Sequence, residues 1–241
     1  MTKITTAMLL AAGLGTRMKP LTDNLPKPLI EVAGRTLVDR VLDKLVAQGV
    51  TRAVVNVHYL ADQMEAHLKP RKDIEIIISD ERDLLLETGG GVIKALPKLG
   101  DDPFFVINTD VTWATAGDAT FAKMAEAYDP NEMDALLLLA DMGATLGFRG
   151  PGDFFLAPDG QLIRRGDKPS APYVFAGTHI TRAELLRGYE VKPFSANAYW
   201  NTMGRAGRLY GTVMSPFWMH VGDPAGRDEA EARLKTMGPG A

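Results

Sequence analysis

Gly13, Gly15, Arg17 and Lys27 lie in one loop-forming stretch, Leu10 to Pro28, and together suit the chemistry of a polyphosphate. Small residues at Ala11, Ala12, Gly13 and Gly15 let the backbone approach a ligand closely. Consecutive backbone N–H groups in such a turn, running on into Thr16, form an anion-binding concavity. Arg17 and Lys27 add fixed positive charge, and an arginine can grip two phosphate oxygens at once. Pro20, Pro26 and Pro28 stiffen the stretch and lower its ordering cost on binding. Two familiar patterns are excluded. A Walker loop needs Lys-Ser or Lys-Thr after its last glycine, where Thr16-Arg17 stands. The dinucleotide fingerprint needs a third small residue, and Met18 occupies that place.

Two further groups carry chemistry. Asp110 ends the polar triplet Asn108-Thr109-Asp110 behind an apolar run. A carboxylate there can hold Mg²⁺, which takes oxygen ligands and commonly only one or two carboxylates beside phosphate oxygens. Glu87-Thr88-Gly89-Gly90-Gly91 is expected just ahead of a helix, its glycines permitting close approach and Thr88 offering a cap or a hydrogen bond. His58, His67 and His179 show no partner pattern and read as structural.

These groups need a scaffold, and the apolar spacing describes one. Residues 7–12 form an apolar run expected of a central parallel strand. Residues 36–48 carry apolar positions at helical spacing and end at Gly49. Strands are expected at 53–57, 74–78 and 104–107, with helices at 61–68 and 91–99, the latter breaking near Pro97. Alternating strands and helices imply an α/β fold, Rossmann-like, with a mixed, mostly parallel central sheet flanked by helices. Ligands bind such sheets outside the carboxyl ends of the strands, so Gly13–Arg17 and Asn108–Asp110 should line one crevice. Beyond residue 113 the pattern is less regular. Strands are expected at 135–139, 173–180, 209–214 and 217–221, with a hairpin around 158–160, a short helix capped by Thr181 and a charged helix from Asp223. No internal repeat or linker stands out, so a single domain over 1–241 is expected.

The stretch LAAGLGTRMKPLTDNLPKPL closely resembles the signature of the sugar-1-phosphate nucleotidyltransferases, the nucleotide-sugar pyrophosphorylases. The resemblance covers most of the chain and is strongest in residues 1–112. It is closest in kind to the short bacterial N-acetylmuramate 1-phosphate uridylyltransferases of cell-wall recycling. Leu86–Gly91, Asn108–Trp113 and Gly152-Asp153-Phe154 carry that similarity, with no C-terminal left-handed β-helix domain expected. The resemblance implies a nucleotide-diphospho-sugar transferase fold, with 1–112 as a nucleotide-binding half and 113–241 as a sugar-phosphate-binding half, and a reaction of a nucleoside triphosphate with a sugar 1-phosphate, giving a nucleotide sugar and pyrophosphate. It assigns Asn108 to the nucleotide, Thr88, Gly89 and Glu87 to the base and sugar, and Asp110 to the metal, with Arg17 and Lys27 as the catalytic charges. Asp153, Lys168 and Gly177 fall where the family meets the sugar phosphate, and Asp141 is a weaker candidate of that kind. The family's second metal carboxylate lies in a Trp-x-Asp-x-Gly strand. This chain reads Trp218-Met219-His220-Val221-Gly222-Asp223. Three arrangements are open: Asp223 reaches the metal, His220 binds it directly or through water, or Asp110 ligates alone. Imidazole suits Mn²⁺ or Zn²⁺ better than Mg²⁺. Alternative readings are a mannose- or glucose-1-phosphate enzyme using GTP, UTP or dTTP, and a non-catalytic regulatory subunit that binds nucleotide sugars.

Composition agrees. The 241 residues carry a net charge of −3, which argues against nucleic acid as the main partner. With no cysteine, disulfides, thiolate metal sites and a cysteine nucleophile are excluded. The absence of a signal-peptide pattern or a spanning apolar stretch points to a cytoplasmic protein without membrane attachment. Oligomeric state is not legible.

Overall fold

The computed structural model describes residues 3–114 and 118–237. The first half contains β1 (Thr6–Leu10), β2 (Glu31–Val32), β3 (Arg35–Thr36), α1 (Leu37–Ala47), β4 (Arg52–Val57), α2 (Ala61–Leu68) and β5 (Glu75–Asp80). It continues through α3 (Glu87–Leu99), β6 (Phe104–Asn108) and β7 (Val111–Trp113). The second half holds α4 (Thr120–Ala127), β8 (Ala135–Asp141), β9 (Thr145–Leu146), β10 (Phe154–Leu156), β11 (Leu162–Arg164) and β12 (Tyr173–Thr181). It closes with α5 (Asn197–Arg205), β13 (Leu209–Val213), β14 (Trp218–His220) and α6 (Pro224–Met237).

One mixed sheet runs β11-β10-β12-β6-β1-β4-β5, with β8 also against β12 and β13 against β8. The pairs of β1 with β4 and β6, of β4 with β5 and of β8 with β13 are parallel, and β12 is antiparallel to β6 and β8. The run Ala7-Met8-Leu9 has no exposed surface because strands flank it and helices cover both faces. One face packs on α1, α2 and α4 through Val41, Leu45, Met64 and Phe121. The other packs on α3 and α5 through Val92, Ile93, Tyr199 and Trp200. A third cluster joins α6, through Ala230 and Leu234, to Val32 and Met219.

The structure departs from the sequence expectations at several places. β1 stops at Leu10 rather than Ala12. α3 begins at Glu87, so Thr88–Gly91 form its first turn instead of a preceding loop, and Pro97 lies inside it. Thr181 ends β12, and its hydroxyl donates to the Asp134 carbonyl rather than capping a helix. The helices α4 and α5 were not expected. No β-helix occurs among the described residues.

Candidate active site

At the carboxyl ends of β1 and β6 lies a cleft of about 540 Å³, within the range of small-molecule sites. The loop after β1 forms one wall. Gly15 has φ of 64°, and a Cβ there would meet Thr22 Cγ2 at 2.9 Å. The Thr22 hydroxyl donates to the Gly15 carbonyl at 2.8 Å, and Tyr59 Oη donates to the Thr22 carbonyl at 2.8 Å. Buried Met18 anchors the short turn Thr16–Met18 beneath the loop. With the loop so closed, the N–H groups of Gly13, Leu14, Gly15, Thr16 and Arg17 have no protein acceptor among the described residues. Such a row of open donors is an anion site. Arg17 is exposed at the same wall and has no ion pair among the described residues.

Ala11 and Ala12 line the cleft but contribute shape, not donors. Their N–H groups donate to Asn56 Oδ1 at 2.6 and 3.2 Å. Asn56 Nδ2 donates to Glu81 Oε1 at 2.7 Å, and Glu81 Oε2 accepts from Leu86 N–H at 3.1 Å. The Glu81 carboxylate is fully buried. Burial raises its pKa, while the Asn56 and Leu86 hydrogen bonds partly offset this. A Cβ on Gly91 would strike Asn56 Nδ2 at 2.8 Å and Glu81 Oε1 at 2.9 Å. The loop after β1 and the start of α3 are therefore tied through one buried amide–carboxylate pair. Neither Asn56 nor Glu81 follows from any local motif. The only signal is that each ends or follows a parallel strand, the usual place for site residues.

The first turn of α3 supplies Glu87 and Thr88 to the cleft. Gly89 is not part of the lining. Its N–H, like that of Gly90, donates to the Phe194 carbonyl, and its missing side chain leaves room for the Phe194 ring. A Cβ on Gly90 would collide with the Lys192 carbonyl. All three glycines therefore serve packing. Thr88 Oγ1 accepts from Ala196 N–H at 2.9 Å, holding the start of α5.

Opposite the loop stand Asn108 and Asp110. Thr109 Oγ1 donates to the Leu10 carbonyl at 3.0 Å and locks the two strand ends together. Lys27 Nζ donates to Asp110 Oδ2 at 2.7 Å. β14 pairs with β7 so that His220 faces Val111, and His220 Nε2 lies 3.6 Å from Asp110 Oδ2. Burial would raise the Asp110 pKa, but Lys27 and His220 outweigh it and hold the carboxyl well below the usual range. Among the described residues, Asp110 Oδ1 accepts no hydrogen bond. An ionised carboxylate with one open oxygen, beside a nest for phosphate, fits a divalent cation that draws its other ligands from phosphate and water. Gly222 has no side chain where the His220 ring sits. Asp223 Oδ1 accepts from Gly226 N–H at 2.8 Å and so caps α6 ahead of Pro224, the plain capping arrangement.

The model of the MobA-like NTP transferase domain matches residues 7–184. The chain is 47% identical over 95% of its length to a Caulobacter vibrioides protein, N-acetylmuramate alpha-1-phosphate uridylyltransferase, covering 96% of it. A Neisseria meningitidis protein of the same name is 36% identical over 94% of this chain and 96% of its own. This chain belongs to the MobA-like NTP transferase family. The UTP-bound UGPase of Acinetobacter baumannii shares the fold with a TM-score of 0.77 at 18% identity, over 98% of this chain and 95% of that one.

In this nucleotidyltransferase the loop residues Ala11–Arg17, Lys27, Thr88, Glu87, Asn108 and Asp110 meet in one cleft. Of the residues expected at the sugar phosphate, Glu87 lines it and Asp153, Lys168 and Gly177 do not. Asp153 Oδ2 accepts from Phe175 N–H at 2.9 Å. Gly177, with φ of 86°, is buried against Val111 and Asn108, where β12 shifts register. Lys168 Nζ sits 4.2 Å from the Phe155 ring centre, on the hairpin β10–β11. Asp141 accepts from Gly143 N–H and closes a short turn. The remaining histidines are structural in their contacts. His58 meets the Glu81 carbonyl, His67 meets Asp39, and buried His179 meets Tyr199. No described helix is long and apolar enough to cross a membrane.

Proposed function

We propose that the chain is a sugar-1-phosphate uridylyltransferase that joins UTP to N-acetylmuramic acid 1-phosphate, giving the UDP-sugar and pyrophosphate, in the cytoplasmic reuse of cell-wall sugars. It acts as one unit over 1–241, the nucleotide held by 1–112 and the sugar phosphate by 113–241. The observation that carries the reading is the open N–H row of Gly13–Arg17 sharing a cleft with Lys27 and Asp110. The names of the two relatives over nearly the whole chain support the choice of base and sugar.

The nucleophile is a phosphate oxygen of the sugar 1-phosphate, already ionised at neutral pH, so no general base is required. It forms a bond to the α-phosphorus of UTP as the bond to the bridging oxygen of the β-phosphate breaks, and pyrophosphate leaves with the negative charge. The backbone row orients the triphosphate, and Arg17 and Lys27 neutralise charge that gathers on its oxygens. Lys27 is already held at the cleft by Asp110, so its placement costs little at the moment of reaction. A divalent cation, Mg²⁺ or Mn²⁺, would be held by Asp110 with His220 beside it and supplies further charge neutralisation when bound. Asn108 and the first turn of α3 contact the nucleotide and sugar.

A matrix of triphosphates against sugar 1-phosphates, read as pyrophosphate release with Mg²⁺ and with Mn²⁺, tests the reading. UTP with N-acetylmuramic acid 1-phosphate should give the highest kcat/KM. Preference for GTP with mannose 1-phosphate would reassign the substrates. Tight nucleotide-sugar binding without release from any pair would reassign the chain to a regulatory role.

A further inference from the structure

We propose that the Glu87 carboxylate reads the ring N–H of the nucleobase and so selects UTP over CTP. The inference rests on the uridylyltransferase reading above and concerns the far end of the same cleft. The sheet order fixes which end that is. β6 and β4 flank β1 on opposite sides. Asp110, with its partner Lys27, follows β6, so the charges that meet phosphate stand on the β6 side. Asn56 belongs to β4, and Glu81, just past β5, joins it to Leu86 at the start of α3. Leu85, Glu87 and Thr88 therefore line the cleft on its β4 side, where a nucleotide whose phosphates rest on Gly13–Arg17 places its base. The anionic side chain reinforces that polarity, because it repels a phosphate laid at its own end.

Glu87 is open to the cleft and uncommitted. Its carboxylate is exposed and makes no hydrogen bond or ion pair among the described residues. Nearby carboxylates are engaged: Asp80 and Asp62 with Arg82, and Glu81 with Asn56. The backbone N–H groups of Glu87 and Thr88 also have no protein acceptor among the described residues. Glu87 has φ of 58°, a conformation that favours glycine and is uncommon for a residue with a side chain. Ala33 and Leu60 share it, but of the three Glu87 alone is charged and borders the cleft. An ionised carboxylate only accepts hydrogen bonds. Set beside backbone donors, it matches a ring edge on which N–H stands next to C=O. Uracil presents that edge, with N3–H between two carbonyls. Cytosine carries a lone pair at N3, which meets the carboxylate unpaired. Because the triphosphate is anchored at the loop, the ring does not slide to offer the cytosine amino group instead.

The test measures binding of UTP and of CTP by titration calorimetry with Mg²⁺ present, in the wild type, Glu87→Gln and Glu87→Gly. The wild type should bind UTP roughly 10- to 100-fold more tightly than CTP, the scale of base-edge discrimination. Glu87→Gln, whose amide can turn its NH₂ toward N3 of cytosine, should shrink that preference about tenfold or more, chiefly by tightening CTP. Glu87→Gly should weaken UTP about tenfold and leave CTP unchanged. Its kcat with UTP should hold while KM rises, because the phosphates are held elsewhere. Its thermal midpoint should not fall, since glycine takes the left-handed backbone without strain. A purely structural Glu87 would weaken both nucleotides together. That result, or an unchanged preference in both variants, or a wild type that binds CTP as tightly as UTP, overturns the assignment while the uridylyltransferase reading stands. A wild type that prefers GTP in the substrate matrix overturns that reading, and this assignment with it.

Discussion

Asn56 donates to Glu81 in a hydrogen bond whose polarity is forced. The loop offers two N–H donors, so the Asn56 oxygen must face it and the amide nitrogen must face Glu81. Leu86 offers another donor, so the second partner must be acceptor-only. Asn56→Asp sets two carboxylates against each other, and Glu81→Gln leaves a donor facing a donor. Each single variant should lose about 1–3 kcal/mol in urea unfolding. The double variant restores every donor–acceptor match and should recover most of that loss. It moves the negative charge to the cleft wall, however, so its KM for triphosphate should stay raised. Double-mutant-cycle unfolding alongside initial rates separates the two effects. At the same scale, Asp110→Asn and Arg17→Ala should each lower turnover by about 10²–10³, as for loss of one charge-stabilising group, with the fold retained. Near-normal pyrophosphate release by either would remove the residue from the site.

The element that most needs its sequence is the first turn of α3. Gly89 and Gly90 let the segment 192–196 press against the helix, and Gly91 leaves space for the Asn56–Glu81 pair. Gly90→Ala would drive a methyl into the Lys192 carbonyl. We expect a loss of about 1–3 kcal/mol, the usual scale of overpacking. Because Glu87 and Thr88 lie in the same turn, the displacement should also weaken nucleotide binding, measurable by titration calorimetry. Gly100→Ala is a control for glycine loss at α3, since no heavy atom lies within 4 Å of its would-be Cβ, although its φ of 81° adds strain. It should leave nucleotide affinity intact. Reading the triple glycine as a loop for ligand approach failed because glycine reports closeness of some neighbour, and the sequence does not say whether that neighbour is ligand or chain.

Across the whole molecule, one buried cation ties the two halves. Lys44 on α1 is 2% exposed, donates to the Trp113 carbonyl at 3.0 Å and lies 3.8 Å from Asp118. Burial pushes its pKa down to about 8, with Asp118 acting the other way. Between about pH 8 and the unfolded value of 10.5, the unfolded chain keeps a proton that the folded chain has lost. Stability from this group therefore rises with pH across that window and is lowest below it. Relative to Lys44→Met, the wild type should gain at most about 3 kcal/mol between pH 8 and 10.5, read from urea midpoints. A flat difference would show that Asp118 fully compensates the burial.

The parallel-sheet half was legible because its signals are local. An apolar run, a helical period and a glycine-bearing loop each span a few consecutive residues, and together they name the α/β fold and the loop proposed to cradle phosphate. The meeting of Arg17, Lys27 and Asp110 was also foreseeable, since carboxyl ends of parallel strands share one edge of a sheet. What only the tertiary structure decided depends on pairs distant in the chain. The β7–β14 ladder set His220 beside Asp110, while Asp223 caps α6. Asn56, 45 residues from Ala11, took the loop's first donors and so shifted the open N–H row to Gly13–Arg17.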